Sequence, residues 1–416
     1  MFLRIPVGFV MAIVGFTGFG LLVSWDASLS LLARDFFTIF GSYNLTVIPL
    51  FVLMGQLAFH SGISSRLFNA AHKFFGHLPG GLAIATIGAC AGFSAICGST
   101  SATAATMASV ALPEMKKYNY DPALATGVVA AGGSLGILIP PSTIFIIYGI
   151  MTEQSVGKLF MAGVLPGILL SLLFVATVLI WTHVQPGLCE RAPKATFREK
   201  IASLSGVIET FILFILVMGG LFVGIFTPTE AAAIGAAGTL IIALVGRNLT
   251  WHGFVQSLQE TTRISCMILV IVAGATVFGH FLAVTSIPTE IGDWVSELKL
   301  HRYIIMGLII LIYLAMGCLM DSLAMIMLTI PIFYPVVTAL GFDPIWFGVI
   351  IVVVKEMGVI TPPVGINVYV VAGVARDIPL HIIFKGAMHL LMAQLALAIL
   401  LILFPQIALF LPGLMK

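Results

Sequence analysis

Charge is what this chain has least of. Lys, Arg, Asp and Glu together make up 9% of its 416 residues, where a soluble domain carries about 25%. So few charges cannot cover a water-facing surface, which excludes an ordinary soluble globular domain. Cysteine is scarce too. The five, Cys90, Cys97, Cys189, Cys266 and Cys318, are odd in number and scattered. No CxxC or HExxH spacing occurs among them or the nine histidines. That argues against a disulfide framework or a zinc site and leaves the cysteines as buried, inert side chains. There is no basic arm, and a net charge of +2 points to no nucleic acid. The apolar–polar alternation of half-buried strands is missing as well.

What is present is hydrocarbon. The chain is 60% hydrophobic, with a mean hydropathy of +1.15. Apolar runs recur along its length at 2–24, 46–60, 211–226, 231–245, 264–285, 304–317 and 382–411; spanning a bilayer takes on the order of 20 residues. The first run is too long for the apolar core of a signal peptide and lacks a small-residue cleavage site, so it is expected to be the first membrane helix. The fold class that follows is an all-α polytopic membrane protein.

The two halves resemble each other. Gly136-Ile137-Leu138-Ile139-Pro140-Pro141 returns as Gly358-Val359-Ile360-Thr361-Pro362-Pro363, an offset of 222 residues. The same offset carries Asp121-Pro122 onto Asp343-Pro344 and Pro113 onto Pro335. Ser24-Trp25 lies near Thr250-Trp251 at an offset of 226. Lys and Arg accumulate on the cytoplasmic side, so the segment 186–203, with Arg191, Lys194, Arg198 and Lys200 against Glu190 and Glu199, is placed there. Counting outward, loops 62–81 and 113–122 also fall in the cytoplasm, with Arg66, Lys73, Lys116 and Lys117 against Glu114 and Asp121. Their repeat partners, 286–302 and 336–344, fall outside and invert the balance: Glu290, Asp293, Glu297 and Asp343 against Lys299 and Arg302. An inverted repeat is the usual construction of a secondary transporter.

The expected plan is a first repeat at 1–185, a cytoplasmic linker at 186–203 and a second repeat at 204–416. Each repeat holds an arm helix along the membrane interface (about 25–42 and 248–262) and a re-entrant helical hairpin (about 86–112 and 303–335). Each ends in a broken helix (about 123–150 and 345–372). Segment 207–226 has no counterpart in the first half, and a separate partner subunit is expected to supply the missing helix.

The breaks carry the chemistry. In 132–143, glycines loosen the chain and Pro140 and Pro141 remove two backbone donors. Carbonyls freed at membrane depth must face protein or water, and unpartnered oxygens suit a small hard cation. The half-helix that starts after the prolines points its positive end inward, which suits an anion. Residues 358–367 repeat the arrangement. Ahead of each break lies a hairpin tip, Gly98-Ser99-Thr100-Ser101-Ala102-Thr103 and Gly317-Cys318-Leu319-Met320-Asp321-Ser322. Hydroxyls and carbonyls there complete an oxygen cage with the broken helix. Asp321, Lys355 and Glu356 are charges inside the membrane that should be paired or wet. Adjacent residues on a helix face different ways, so Lys355 and Glu356 are expected to have separate partners, Asp321 being the candidate for Lys355. Structural pairing is favoured over ion transport for these three. No arginine falls in the expected cavity, so an anion would rest on helix N-termini, hydroxyls and nearby cations.

Four segments, Phe226-Thr227-Pro228-Thr229-Glu230-Ala231, Ala95-Ile96-Cys97-Gly98-Ser99, Leu138-Ile139-Pro140-Pro141-Ser142 and Thr361-Pro362-Pro363-Val364-Gly365-Ile366-Asn367, resemble the large membrane subunit of tripartite ATP-independent periplasmic (TRAP) transporters. The resemblance runs over nearly the whole chain. It implies an elevator transporter, a scaffold plus a transport domain, in the bacterial inner membrane. Its implied partners are a small four-helix membrane subunit, here a separate polypeptide because the chain starts at its first helix, and a periplasmic substrate-binding protein. It implies coupling to sodium ions, no organic cofactor, and an organic anion as substrate: a C4-dicarboxylate, a sialic acid or a sulfonate.

Carried over by residue, one sodium site would use Cys97, Ser99, Gly136, Ile139 and Pro141. A second would use Gly317, Gly358, Thr361 and Pro363. Thr100, Ser101, Thr103, Ser142 and Asn367 are assigned to the substrate. Cys97 departs from the serine the resemblance leads one to expect, and a thiol is a poor sodium ligand, so only its carbonyl would serve. A stand-alone sodium- or proton-coupled anion carrier of the same architecture is the nearer alternative, separable by whether uptake depends on a binding protein. A membrane-embedded enzyme would have only the distant His280, Ser322 or Glu356 to assemble a site from, and the chain is read as no enzyme.

Overall fold

The computed structural model describes residues 5–288, 290–291 and 300–415. Asp293, Glu297 and Lys299 of the 286–302 loop lie outside the described residues. All regular structure among the described residues is helical. In chain order the helices are α1 (Val7–Leu22), α2 (Trp25–Phe40), α3 (Val47–His60), α4 (Ile63–Phe75), α5 (Gly81–Cys97), α6 (Thr100–Lys117), α7 (Pro122–Gly133), α8 (Leu135–Leu138), α9 (Thr143–Met151) and α10 (Val156–Val184). Then follow α11 (Phe197–Val223), α12 (Pro228–Val245), α13 (Trp251–Thr285), α14 (Arg302–Gly317), α15 (Ser322–Ala339), α16 (Pro344–Gly358), α17 (Ile366–Val374), α18 (Leu380–Leu403) and α19 (Gln406–Leu414). Eight helical segments among the described residues are long and apolar enough to cross a membrane.

Local sequence explains where these helices begin. Asp121 and Asp343, the repeated Asp-Pro pairs, do the same work in each half. Asp121 Oδ1 accepts from the Ala123 and Leu124 N–H groups at 2.8 and 3.2 Å. Asp343 Oδ1 accepts from Ile345 and Trp346 at 2.8 and 3.0 Å. The prolines after them open α7 and α16 where no backbone donor is needed. Thr227-Pro228-Thr229-Glu230 is likewise a helix start. The Glu230 N–H donates to Thr227 Oγ1 at 3.3 Å, and the Thr227 N–H donates to Glu230 Oε2 at 2.8 Å, a capping box. The 248–262 segment is not a separate arm but the first part of α13, which runs unbroken for 35 residues from its Thr250 cap.

Packing follows from composition. α7, and α16 up to Lys355 and Glu356, carry almost no polar side chains and are buried along most of their length, as a helix without a polar face must be. Lipid offers no hydrophobic drive to press such helices together, so close approach of small residues does it. Gly127 of α7 meets Gly386 of α18 with no room for a Cβ on either. Gly8 and Gly15 of α1 lie against the backbone of α13 in the same way. Two groups of helices result: α1, α3, α12 and α13 pack together, and the hairpins α5–α6 and α14–α15 pack with α7, α16, α17 and α18.

Candidate functional site: a cavity between two hairpin tips and two broken helices

Each hairpin turns over at a short tip. Gly98 and Ser99 join α5 to α6, and four residues, Cys318–Asp321, join α14 to α15. Gly98 has φ +63°, a conformation that favours glycine, and a Cβ there would lie 2.8 Å from the Pro141 carbonyl oxygen. The tip and the first break are therefore in direct backbone contact. Both breaks restart as short helices. Ser142 Oγ caps α9 by accepting from the Phe145 N–H at 3.4 Å. Gly365, at φ +60°, opens α17 without a side-chain cap. The N-terminal ends of α6, α9, α15 and α17 all reach one cavity of about 590 Å³, through Thr100, Thr143, Ser322 and Ile366. Four partly positive helix ends around one space make an environment for an anion.

The first set of expected sodium ligands comes together. Gly136 lies against Ser99 so closely that a Cβ would strike the Ser99 carbonyl, and it would sit 2.9 Å from Thr103 Oγ1. Thr103 is fully buried and its hydroxyl has no partner among the described residues. The Cys97 thiol donates weakly to the Ser99 carbonyl at 3.9 Å, so the thiol itself offers nothing to a hard ion. Ile139 turns its side chain away, into a separate apolar crevice beside α11. Carbonyl and hydroxyl oxygens around an unpartnered buried hydroxyl are what sodium would take. Among the described residues no group of three or more His, Cys, Asp or Glu could hold another metal.

The second set is looser. Gly358 abuts Gly317, with a would-be Cβ 2.7 Å from the Gly317 carbonyl oxygen. Thr361 donates its hydroxyl to the Met357 carbonyl at 2.6 Å, while Pro362, Pro363 and Val364 are exposed. Of the residues assigned to substrate, Thr100 and Ser101 line the cavity. Thr103, Ser142 and Asn367 do not line it and are buried just behind its wall. Asn367 bridges the halves: its Nδ2 donates to the Ala130 carbonyl at 3.0 Å, and its buried Oδ1 has no partner among the described residues.

The charges differ from their expected pairing. Lys355 Nζ meets its own neighbour, Glu356 Oε1, at 3.1 Å. Asp321 instead caps α15, accepting from the Leu323 N–H at 3.1 Å. The four-carbon lysine stem bends back along its helix, which overrides the difference in direction between adjacent residues. Glu356 Oε2 accepts in turn from the Thr100 hydroxyl at 3.2 Å. This chain ties the second broken helix to the tip of the first hairpin. Lys355 is the one Lys or Arg among the residues lining the cavity. His280, by contrast, pairs with Asp35 at 3.1 Å, with no Ser322 or Glu356 beside it.

Sequence reasoning missed the opposite wall. Gln56 and His60 of α3, with Gln256, Gln259 and Glu260 of α13, face the hairpin tips across the cavity. Their spacing, four residues apart on α3 and three to four on α13, puts them on one side of each helix, a signal that stands out on the apolar α3 and is diluted on α13 by His252, Ser257, Thr261, Thr262 and Arg263. Gln394 was missed as well. It is fully buried on α18 and donates to Ser134 Oγ at 2.8 Å, at the point where α7 gives way to α8.

With that geometry in hand, likeness to known proteins is informative. Residues 1–407 match the model of the family described as "Tripartite ATP-independent periplasmic transporter, DctM component". The C4-dicarboxylate TRAP transporter large permease protein DctM of Pseudomonas aeruginosa is 38% identical over 394 residues, covering 94% of this chain and 91% of that protein. The sialic acid TRAP transporter large permease protein SiaM of Vibrio cholerae is 34% identical over 420 residues, covering 100% of this chain and 96% of that protein. Among solved structures, the Alcanivorax borkumensis YdaH transporter superposes with a TM-score of 0.67 over 92% of this chain and 90% of its own, at 14% identity. That last likeness concerns the fold alone.

Proposed function

Because the chain belongs to the DctM-component family of tripartite ATP-independent periplasmic transporters, we propose that it is the large subunit that moves an organic anion inward with sodium. It is a multi-pass inner-membrane transport protein and no enzyme. The proposed substrate is a carboxylate or sulfonate. Relatives named for C4-dicarboxylates and for sialic acid stand at comparable identity, so the family bounds the substrate class without selecting within it. The proposed partners are a small four-helix membrane subunit and a periplasmic binding protein that delivers the anion.

The observation that carries this reading is the convergence of four helix N-termini and both hairpin tips on one cavity. Sodium at the first cluster, held by oxygens of Cys97, Ser99, Gly136, Ile139 and Pro141, would tie hairpin tip to broken helix. A second ion at Gly317, Gly358, Thr361 and Pro363 would order the looser break. Their charge offsets that of the anion, which the N-termini and Lys355 hold beside Thr100 and Ser101. Thr103 adds its buried hydroxyl to the first cluster, and Ser142 and Asn367 support the substrate groups from behind. Moving the hairpins and broken helices as one body against α1, α3, α12 and α13 would then carry the load across.

The test has two readings. Thermal unfolding of the purified protein in NaCl, KCl and choline chloride at equal ionic strength should show a higher midpoint in sodium. A ligand at 100 times its Kd adds about 2.7 kcal/mol to the folded state. Uptake in proteoliposomes with the small subunit and binding protein should require an inward sodium gradient. Equal midpoints together with proton-driven uptake would sink sodium coupling.

A further inference from the structure

We infer that the crevice between the first hairpin and α11 is a phospholipid site, in which Arg66 receives the phosphate and an apolar slot beside it receives an acyl chain. Arg66 leaves α4 and lies across α11 at Gly206, where a Cβ would stand 3.3 Å from its Cδ. Its Nη1 meets Glu209 Oε2 at 3.5 Å, one long contact to a carboxylate that is itself 42% exposed. Nε and Nη2 are shielded from solvent and have no acceptor among the described residues. A guanidinium is always charged and presents five donors in a rigid fork matched to phosphate. Shielded donors left unmade are costly, so Nε and Nη2 call for an anionic oxygen beyond the one that Glu209 gives Nη1.

An apolar slot lies alongside this contact on the same pair of helices. Leu67 and Val207, the residues next to Arg66 and Gly206, are its first lining residues. It continues along α11 to Phe214 and has a volume of about 250 Å³. From Gly206 to Phe214 is about 12 Å at 1.5 Å per residue, the depth of part of an acyl chain. Small residues of α5, Ala91 and Ala95, form the facing wall and leave the space. Thr210 is the only polar lining residue. Ile168 and Phe211 line the slot and are exposed, so it opens sideways. Lys73 and Lys200 add positive charge at the α4–α11 junction, Lys73 lying 3.6 Å from Glu199. An occupant must therefore carry anionic oxygens at one end and hydrocarbon at the other. A basic pocket between membrane helices at the positively flanked side is where anionic lipid headgroups bind. The lipid would bridge the first hairpin to α4 and α11. The slot shares Ile139 with the first sodium assignment and no residue with the substrate assignment.

Native mass spectrometry of the full-length protein, released from detergent after partial delipidation in phosphatidylethanolamine and phosphatidylglycerol, tests it. Wild type should retain one phospholipid. Arg66→Gln should lower its occupancy about tenfold, equivalent to ~1.4 kcal/mol, and Arg66→Lys should lower it less. Ala91→Leu keeps the guanidinium but fills the slot; it should lose the lipid as well, which keeps the test open if Arg66→Gln fails to fold. Inorganic phosphate at millimolar concentration should not displace the lipid, because it meets only the headgroup half. Wild-type lipid occupancy in both Arg66→Gln and Ala91→Leu would overturn the proposal. So would displacement by phosphate alone, or co-purification of the small subunit that depends on Arg66 while lipid retention does not.

Discussion

Pro140 and Pro141 are buried, whereas Pro362 and Pro363 are exposed, although both pairs close the same six-residue pattern. The first break is held on all sides. Its hairpin tip is two residues long, Gly98 touches the Pro141 carbonyl, and Ser142 caps the restarted helix. The second break has a four-residue tip, an uncapped Gly365 start and an exposed Pro362–Val364 side. A repeated motif thus sets where a helix must stop, but its neighbours set how firmly the stop is held. The proposed first sodium site thus lies at the enclosed break and the proposed second at the exposed one, and fixing exposed backbone costs about 1–2 kcal/mol per residue.

The largest effect should come from cutting the link between the two breaks. Glu356→Gln leaves Lys355 as an unpaired charge at 2% exposure, and breaking a buried pair from one side costs about 3–5 kcal/mol. The unfolding midpoint should fall accordingly, and the double change Lys355→Met with Glu356→Gln should recover part of the loss. A double variant no better than the single one would mean that the pair does not act as a unit. Next comes Asn367→Ala, which removes the donor to Ala130 across the halves. Its expected cost is about 1–3 kcal/mol, read as faster amide exchange in both α7 and α17; exchange confined to α17 would break the proposed tie.

Sodium affinity sharpens the contrast itself. Thr103→Val removes the unpartnered hydroxyl of the first cluster and should weaken sodium binding about tenfold, or ~1.4 kcal/mol. Thr361→Ala should weaken sodium-dependent stabilisation less, because part of that site's affinity is spent on ordering. The reverse ranking would show that the second break, not the first, is the preformed one. The smallest effect concerns the rim. Asp377, in the turn after α17, accepts from Lys116 at the end of α6 at 2.7 Å. That hydrogen bond holds the Asp377 carboxyl below the usual carboxylate range. Its contribution is therefore present above the unfolded-state value and lost as pH falls through the lowered one. Asp377→Asn should lower the neutral-pH midpoint slightly and flatten the acid side of the stability–pH curve, so that variant and wild type converge at low pH.

Much of the fold was legible because membrane helices announce themselves by length and apolarity, and because local signals are strong at their ends. Asp121-Pro122, Asp343-Pro344 and Thr227-Pro228-Thr229-Glu230 each encode a cap within three or four residues. The hairpins and breaks were legible for the same reason: glycine and proline act on their own backbone. The Lys355–Glu356 pair was misjudged because helix geometry predicts where a Cβ points, not where a long lysine stem finally bends. The cavity wall of Gln56, His60, Gln256, Gln259 and Glu260 was missed because α3 and α13 are some 200 residues apart in the chain and meet only in the fold.

A helical membrane transport protein, the starts of several of its helices and the oxygens freed at the breaks were legible along the chain. These follow from backbone chemistry and from the cost of polar groups in lipid, which act locally. Only the tertiary structure decided which freed oxygens face one another, that Thr103 and Asn367 are left with unpartnered atoms, that Lys355 pairs with Glu356, and that the first break is enclosed while the second is open. Each of these depends on side chains from distant segments arriving at one place, and no short-range rule along the chain specifies that.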